Sequence, residues 1–275
     1  MLFTDSVARL RALLEELPRP LGFVPTMGAL HDGHLELVRT ARARCPGVVA
    51  SIFVNPLQFG PNEDLATYPR DPQRDRERLG AAGVDALFAP EPETMYPALF
   101  ATHVDVGSAG ASFEGAVRPG HFRGVTTVLA KLLNIVRPDL IFLGQKDAQQ
   151  AVLTHRMLRD LNFAVDLVIV PTVREADGLA MSSRNRYLDA QQRAAAPSLH
   201  AALNDVREAL ERGVPKAEAL VRGRAALSSL AQLDYLDVVD GDSFAPIERF
   251  RPPAFVIGAA RFGTTRLIDN LWVPQ

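Results

Sequence analysis

The stretch VVASIFV, residues 48–54, carries no charge and is rich in β-branched side chains. Such a run fits a strand buried on both faces, at the middle of a parallel sheet. Residues 21–25, 85–89, 139–143 (DLIFL) and 165–170 (VDLVIV) are further short apolar runs. Between them, residues 34–44, 72–82, 123–136 and 147–161 repeat apolar side chains at helical spacing. Strands separated by helices of about 10–15 residues make βα units on a parallel sheet. An amphipathic helix precedes the first strand, with Val7, Leu10, Leu13, Leu14 and Leu17 on one face, Thr4 or Asp5 as its expected cap and Pro18 as its end. The irregular stretch 90–119 is expected to hold one strand, at 102–106.

The pattern changes after Pro171. TVREADGLAMSSRNRYLD is polar and without clear period, and reads as a hinge or site loop. Helices are expected at 190–212 and 215–230, then β-like runs at 233–240, 254–263 and 265–269. The expected fold class is therefore α/β: a Rossmann-like parallel-sheet domain over residues 1–172, followed by a smaller C-terminal α+β domain over 173–275, each of ordinary domain size. A net charge of −2 gives no basis for a nucleic-acid partner. No apolar run reaches the roughly 18–20 residues of a membrane span. The lone Cys45 excludes an internal disulfide and suits a reducing, cytoplasmic setting.

In an open parallel sheet, ligands bind beyond the carboxyl ends of the strands, near the reversal of strand order. Polar clusters follow three of the expected strands: PTMGALHDGH (25–34), Asn55 with Gln58, and GQKDAQQ (144–150). They are expected to converge on one crevice. In the first, Gly28 permits a tight turn, and His31 and His34 share a face of a beginning helix with Gly33 between them. A helix start offers unpaired N–H groups and partial positive charge, which suits a polyphosphate. The residues alone leave open that either histidine caps its own helix or packs as a spacer. A zinc pair is disfavoured, since no cysteine or third histidine stands at ligand spacing.

Asn55 fits ordinary Asn-Pro turn chemistry as well as ligand contact, whereas the longer amide of Gln58 reaches further. Lys146 stands at a strand end, Asp147 is equally a helix cap, and Gln150 follows one turn later. MSSRN (181–185) brings two hydroxyls, an arginine and an amide onto a loop suited to an anionic ligand, and RPGHFRGV (118–125) adds Arg118, His121 and Arg123. There is no Gly-x-Ser-x-Gly elbow and no P-loop, which disfavours a serine hydrolase and a P-loop kinase.

Taken together, PTMGALHDGHL, FVNPLQF, EDLATYPR, RPGHFRGV, NIVRPDLIFLGQKDAQQ and PTVREADGLAMSSRNRYL resemble the pantothenate synthetase (pantoate–β-alanine ligase) family, in order from about residue 21 to 190. HDGH resembles the His-x-Gly-His signature of the nucleotidyltransferase superfamily, and MSSR stands where its second signature falls. The resemblance implies ATP-dependent joining of pantoate and β-alanine through an enzyme-bound pantoyl adenylate, with release of pyrophosphate and AMP. It implies catalytic roles for His34, His31, Lys146, Arg184, Ser182 and Ser183. It implies an ATP site made from Pro25, Thr26, Met27, Gly28, Ala29, Leu30, His31, Asp32, Gly33, His34, Gly144, Gln145, Lys146, Asp147, Val173, Met181, Ser182, Ser183 and Arg184. Gln58 and Gln150, with Asn55 and Arg118, are expected to serve pantoate and β-alanine, and Asp75 is the candidate ligand for the Mg2+ that accompanies ATP. A homodimer is also implied. Gln145 departs from the family's usual glutamate. Two other readings are another nucleotidyltransferase of the superfamily and a catalytically silent nucleotide-binding protein.

Overall fold

The computed structural model describes every residue except Asn62. The described residues divide into two units, Met1–Gly144 with Leu153–Val170, and Gln145–Val152 with Pro171–Gln275. The chain thus crosses between units at 144/145, 152/153 and 170/171, and the segment 145–152 groups with the C-terminal residues.

The first unit runs β1 (Leu2–Thr4), α1 (Val7–Glu15), β2 (Leu21–Thr26), α2 (Asp32–Arg44), β3 (Gly47–Ile52), α3 (Pro72–Ala81), β4 (Ala86–Phe88), α4 (Pro92–Met95), α5 (Glu114–Val117), α6 (His121–Val136), β5 (Leu140–Gly144), α7 (Ala148–Asp160) and β6 (Asp166–Val170), with the opening turns of α7 belonging to the second unit. All six strands are parallel, in the order β1-β4-β3-β2-β5-β6. Alternate residues face opposite sides of the sheet. Phe23, Val49, Phe88 and Ile141 pack with Leu10 of α1 and Val125, Val128, Leu129 and Leu132 of α6. Their neighbours Val24, Val48, Leu87 and Phe142 pack on the other face with Leu37, Val38 and Ala41 of α2 and Leu79 of α3. Each such burial contributes about 1.5–3 kcal/mol. Strand order reverses beside β2, which places the loop after β2 where parallel sheets bind ligands.

Two expectations in this unit are corrected. Leu2–Thr4 is a strand paired with β4, and the cap of α1 is Ser6, whose hydroxyl accepts the Arg9 N–H, rather than Thr4 or Asp5. Residues 102–106 form no strand: the Thr127 and Thr126 hydroxyls of α6 serve the Val104 N–H (3.0 Å) and carbonyl (2.8 Å), so that backbone needs no strand neighbour.

The second unit holds α8 (Ala190–Ala195), α9 (Ser198–Glu211), α10 (Lys216–Ala226) and an antiparallel sheet β7 (Ala231–Asp240), β8 (Ala254–Phe262) and β9 (Thr265–Val273), in that order. Leu203, Val206 and Leu210 of α9 pack on Leu236, Val238, Val256 and Leu271. The helix expected over 190–212 is interrupted at Pro197, and β9 continues past Asp269 to Val273. No helix among the described residues is long and apolar enough to cross a membrane.

Candidate functional site

Pro25 and Thr26 close β2, and the chain then turns sharply: Gly28 lies at φ +80° and Ala29 at φ 50°. A Cβ at residue 28 would stand 2.9 Å from Asp75 Oδ2 and 3.1 Å from Ile52 Cγ2, so glycine is required both for its conformation and for the close approach. The turn is held from α3. Asp75, 2% exposed, accepts the Ala29 N–H on Oδ2 and the Leu30 N–H on Oδ1, both at 2.8 Å. Arg78, one turn on, donates to the Leu30 carbonyl (2.7 Å) and pairs with Asp32, the first residue of α2. Asp71 caps α3, its side chain accepting the Arg74 N–H, and Pro72 starts it, which sets the height of both anchors.

His31 is the cap of α2, and its N–H donates to His34 Nδ1 at 3.3 Å. Because Nδ1 accepts, the neutral His34 ring carries its proton on Nε2. The two rings lie 4.0 Å apart between centroids, at the start of α2, with Gly33 in that first turn. Met27 leads on to the second cluster, since Gln58 Nε2 donates to its sulfur at 3.2 Å.

The second cluster is fixed by Asn55, 1% exposed. Its Nδ2 donates to the Gly124 carbonyl (3.1 Å) and Gln58 Oε1 (3.0 Å); its Oδ1 accepts the Leu57 N–H (3.3 Å) and the Tyr96 hydroxyl (2.7 Å). Burial pushes the Tyr96 phenol well up, so its proton stays in place to be donated. The side-chain amide of Asn55 is therefore fully used within the protein, in contrast to the ligand contact expected of it. Gly124 is needed here as well, because a Cβ would meet the Leu57 carbonyl at 2.2 Å.

The Gln58 carbonyl is held in turn by His121 Nδ1 (2.9 Å) and Arg118 Nη2 (3.2 Å). Arg118 also makes a two-pronged contact with Glu63, at 2.9 and 2.5 Å, and donates to His121 Nε2 at 3.0 Å. Burial raises the Glu63 carboxyl, but the Arg118 contacts outweigh it and leave its pKa lowered. His121 titrates near 4, through burial first and the Arg118 charge second. The guanidinium of Arg118, expected to meet substrate, is thus occupied by protein partners.

The remaining expected residues, Gly144 at the end of β5 apart, lie in the second unit. Gln145, Lys146 and Asp147 form a 3₁₀ turn before α7, with Gln150 half-buried in the first turn of that helix. Lys146 Nζ is 3.8 Å from Asp147 Oδ1, a loose pair. Asn270 Nδ2 donates to the carbonyls of Gln145 (2.8 Å) and Lys146 (2.9 Å), and Gln145 Nε2 donates to Asn270 Oδ1 (3.3 Å). Val173 accepts the Met181 N–H at 3.0 Å, and Ser182 caps the 3₁₀ turn Ser183–Tyr187 by accepting the Arg184 N–H at 3.2 Å. Arg174 at the root of this loop is paired with Asp269 at 2.6 and 2.9 Å, and His200 Nδ1 lies 3.5 Å from the same carboxylate. Burial raises the Asp269 carboxyl, yet His200 and Arg174 together leave its pKa lowered. A small pocket in this unit is lined by Lys146, Leu179, Ser182, Leu199, His200 and Asp269.

The expected residues thus form two sets. Met27–His34, Asn55, Gln58, Asp75 and Arg118 are joined by hydrogen bonds in the first unit; Gln145–Asp147 and Val173–Arg184 gather around β9 in the second. Sequence reasoning did not find Tyr96, His200, Asp269 or Asn270. Each lies far along the chain from the segment it serves.

The model of the family described as pantoate-beta-alanine ligase matches residues 3–272. A pantothenate synthetase of Pelotomaculum thermopropionicum is 50% identical, with 100% of each chain covered. The crystal structure of pantothenate synthetase from Thermus thermophilus superposes with a TM-score of 0.95 at 52% identity, covering 100% of both chains. That of pantoate-beta-alanine ligase from Francisella tularensis, complexed with beta-gamma ATP and beta-alanine, gives a TM-score of 0.77 at 32% identity over 99% of this chain and 97% of the other. With the match running nearly end to end, the chain belongs to the pantoate–β-alanine ligase family.

Proposed function

We propose that this enzyme joins pantoate to β-alanine at the expense of ATP, through a pantoyl adenylate. The observation that carries the reading is the family match over residues 3–272 on a chain that keeps His31 and His34 at the start of α2. A pantoate carboxylate oxygen bonds to the α-phosphorus as the bond to pyrophosphate breaks. The β-alanine nitrogen then bonds to the acyl carbon, the bond to AMP breaks, and the nitrogen loses a proton.

In the first step two anions meet, and charge grows on the phosphoryl oxygens and on the leaving pyrophosphate. The Nε2–H of His34 is the donor assigned to that charge, with His31 beside it. Lys146 and Arg184 supply cations, and Ser182 keeps its hydroxyl proton for donation because its oxygen accepts from the Arg184 N–H. Gln58 and Gln150 are assigned to pantoate, as neutral donors that leave the nucleophile its charge. Asn55 and Arg118 act on pantoate by fixing Gln58.

Magnesium belongs to this reading as the counter-ion of ATP. Asp75 does not fit as its ligand, since both oxygens already hold backbone N–H groups and the residue is 2% exposed. No group of three His, Cys, Asp or Glu among the described residues is arranged to hold a metal. Self-association as a homodimer and a cytoplasmic location rest on family membership alone.

Pyrophosphate–ATP isotope exchange tests the reading: exchange is expected to require pantoate and not β-alanine. His34→Ala and Lys146→Ala are expected to stay folded and to lose about 10²–10³ in exchange rate. Exchange supported by a different acid, or by none, overturns the assignment.

A further inference from the structure

Along β9 the alternation of buried and open residues fails at one place. Thr265, Leu267, Asp269, Leu271 and Val273 are buried, while Arg266, Ile268 and Trp272 are not, yet Asn270 is 2% exposed. Successive strand residues face opposite sides of a sheet, so Asn270 lies on the otherwise open side. A buried amide there demands polar cover. The cover is the backbone of the turn Gln145–Asp147, whose first two carbonyls accept both amide protons of Asn270. Carbonyls only accept, so the orientation of the Asn270 amide is fixed, and Oδ1 is left to take Gln145 Nε2.

Asp269, on the opposite side, holds Arg174 by two short contacts, and the Asn270 carbonyl takes a third from Arg174 Nη2 at 3.3 Å. Arg174 is bridged to Ala180 and donates to the Gly178 carbonyl, which closes the loop that leads into Met181–Arg184. β9 packs against both 3₁₀ turns, Gln145–Asp147 and Ser183–Tyr187. Two neighbouring residues therefore hold both Gln145–Asp147 and the loop that leads into Met181–Arg184.

We propose that Asn270 is a positioning residue for Lys146, and that Asp269 does the same, through Arg174, for Ser182–Arg184. The proposal rests on the reading that Lys146 and Ser182–Arg184 meet the phosphates of ATP. The lysine stem is flexible and its ammonium is tied only loosely to Asp147, so its location depends on the backbone frame that Asn270 fixes. Misplacing a reacting group by about 1 Å can cost on the order of 10²-fold in rate.

The test is a double-mutant cycle on the full-length enzyme, joining Asn270→Ala and Lys146→Ala. The measurements are isotope-exchange rate, pantoate KM, and calorimetric binding of α,β-methylene-ATP. Alone, Asn270→Ala is expected to weaken nucleotide binding and slow exchange by about tenfold, with pantoate KM unchanged within about twofold. In the Lys146→Ala background the same substitution is expected to change nucleotide binding by less than about twofold. A purely structural role would lower the melting temperature and leave the two losses multiplicative, and that result overturns the proposal, as does undiminished binding in the single variant. Should Asn270→Ala fail to fold, Asn270→Leu removes both donors at nearly the same volume without burying a charge, and the cycle is run on it. Absence of pantoate-dependent exchange in the unmutated enzyme would defeat the functional reading alone, because the binding cycle still decides the role of Asn270.

Discussion

Asn55 dictates the orientation of the Gln58 amide. The Leu57 N–H and the Gly124 carbonyl fix the two ends of Asn55, so its remaining proton must go to Gln58 Oε1, which turns Gln58 Nε2, a donor, toward Met27. In the proposed assignment Gln58 therefore offers pantoate a donor. Gln58→Glu puts a carboxylate where an acceptor oxygen of the substrate is expected, and should raise pantoate KM more than Gln58→Ala does, with ATP KM unmoved. Tyr96→Phe removes one support of Asn55 and is expected to cost about 1 kcal/mol, a several-fold rise in pantoate KM. Separate KM determinations for each substrate check both; equal values for Gln58→Glu and Gln58→Ala would contradict the polarity argument.

Asp75 is expected to behave as an anchor. Asp75→Asn turns one acceptor into a donor facing a backbone N–H, and should destabilise the protein by about 1–3 kcal/mol and raise ATP KM. The dependence of rate on magnesium at saturating ATP should keep its midpoint. Urea unfolding and a magnesium titration measure the two, and a shifted midpoint would return Asp75 to the metal.

His121 makes stability depend on acid. Its ring titrates near 4 when folded, below the ordinary value of 6.5. The unfolded chain therefore binds the extra proton between those values. Stability is complete above about pH 6.5 and falls as pH drops toward 4, by about 3 kcal/mol at most. Melting temperatures between pH 7 and 4 should fall less steeply in His121→Asn than in the unmutated enzyme.

Arg174 neutralises a carboxylate that is 4% exposed. Arg174→Ala leaves Asp269 buried with only the His200 ring, 3.5 Å away, still facing it among the ion-pair partners described above, and is expected to destabilise by about 3–5 kcal/mol. Asp269→Asn, which removes the charge instead, should cost less. Chemical denaturation of the two variants compares them directly.

Much of this architecture is legible in sequence because it is periodic. Residues 48–52 of VVASIFV lie in β3 and are buried nearly throughout, with Phe53 and Val54 beyond its end, and the alternation that puts Phe23 on one face and Val24 on the other follows from the strand repeat. The histidines announce themselves by type and by their place after a strand. What escaped was whatever depended on a distant partner. Residues 102–106 look like a strand, and nothing local says that two threonines of α6 will satisfy their backbone. Arg118 reads as an open cation until Glu63 is seen against it. Asn270 has no signal at all in a sequence, since its burial is created by a turn from the middle of the chain.

The loop of Gly28–Leu30 takes its shape from a carboxylate of α3, a part of the fold itself. In the proposed ATP site the entropy of ordering that loop is therefore met by folding and is not subtracted from nucleotide affinity. It follows that distance from the nucleotide is a poor guide to which substitutions disturb its binding. Changes buried beneath α3 should register as affinity defects in an enzyme whose ligand-facing side chains are all intact.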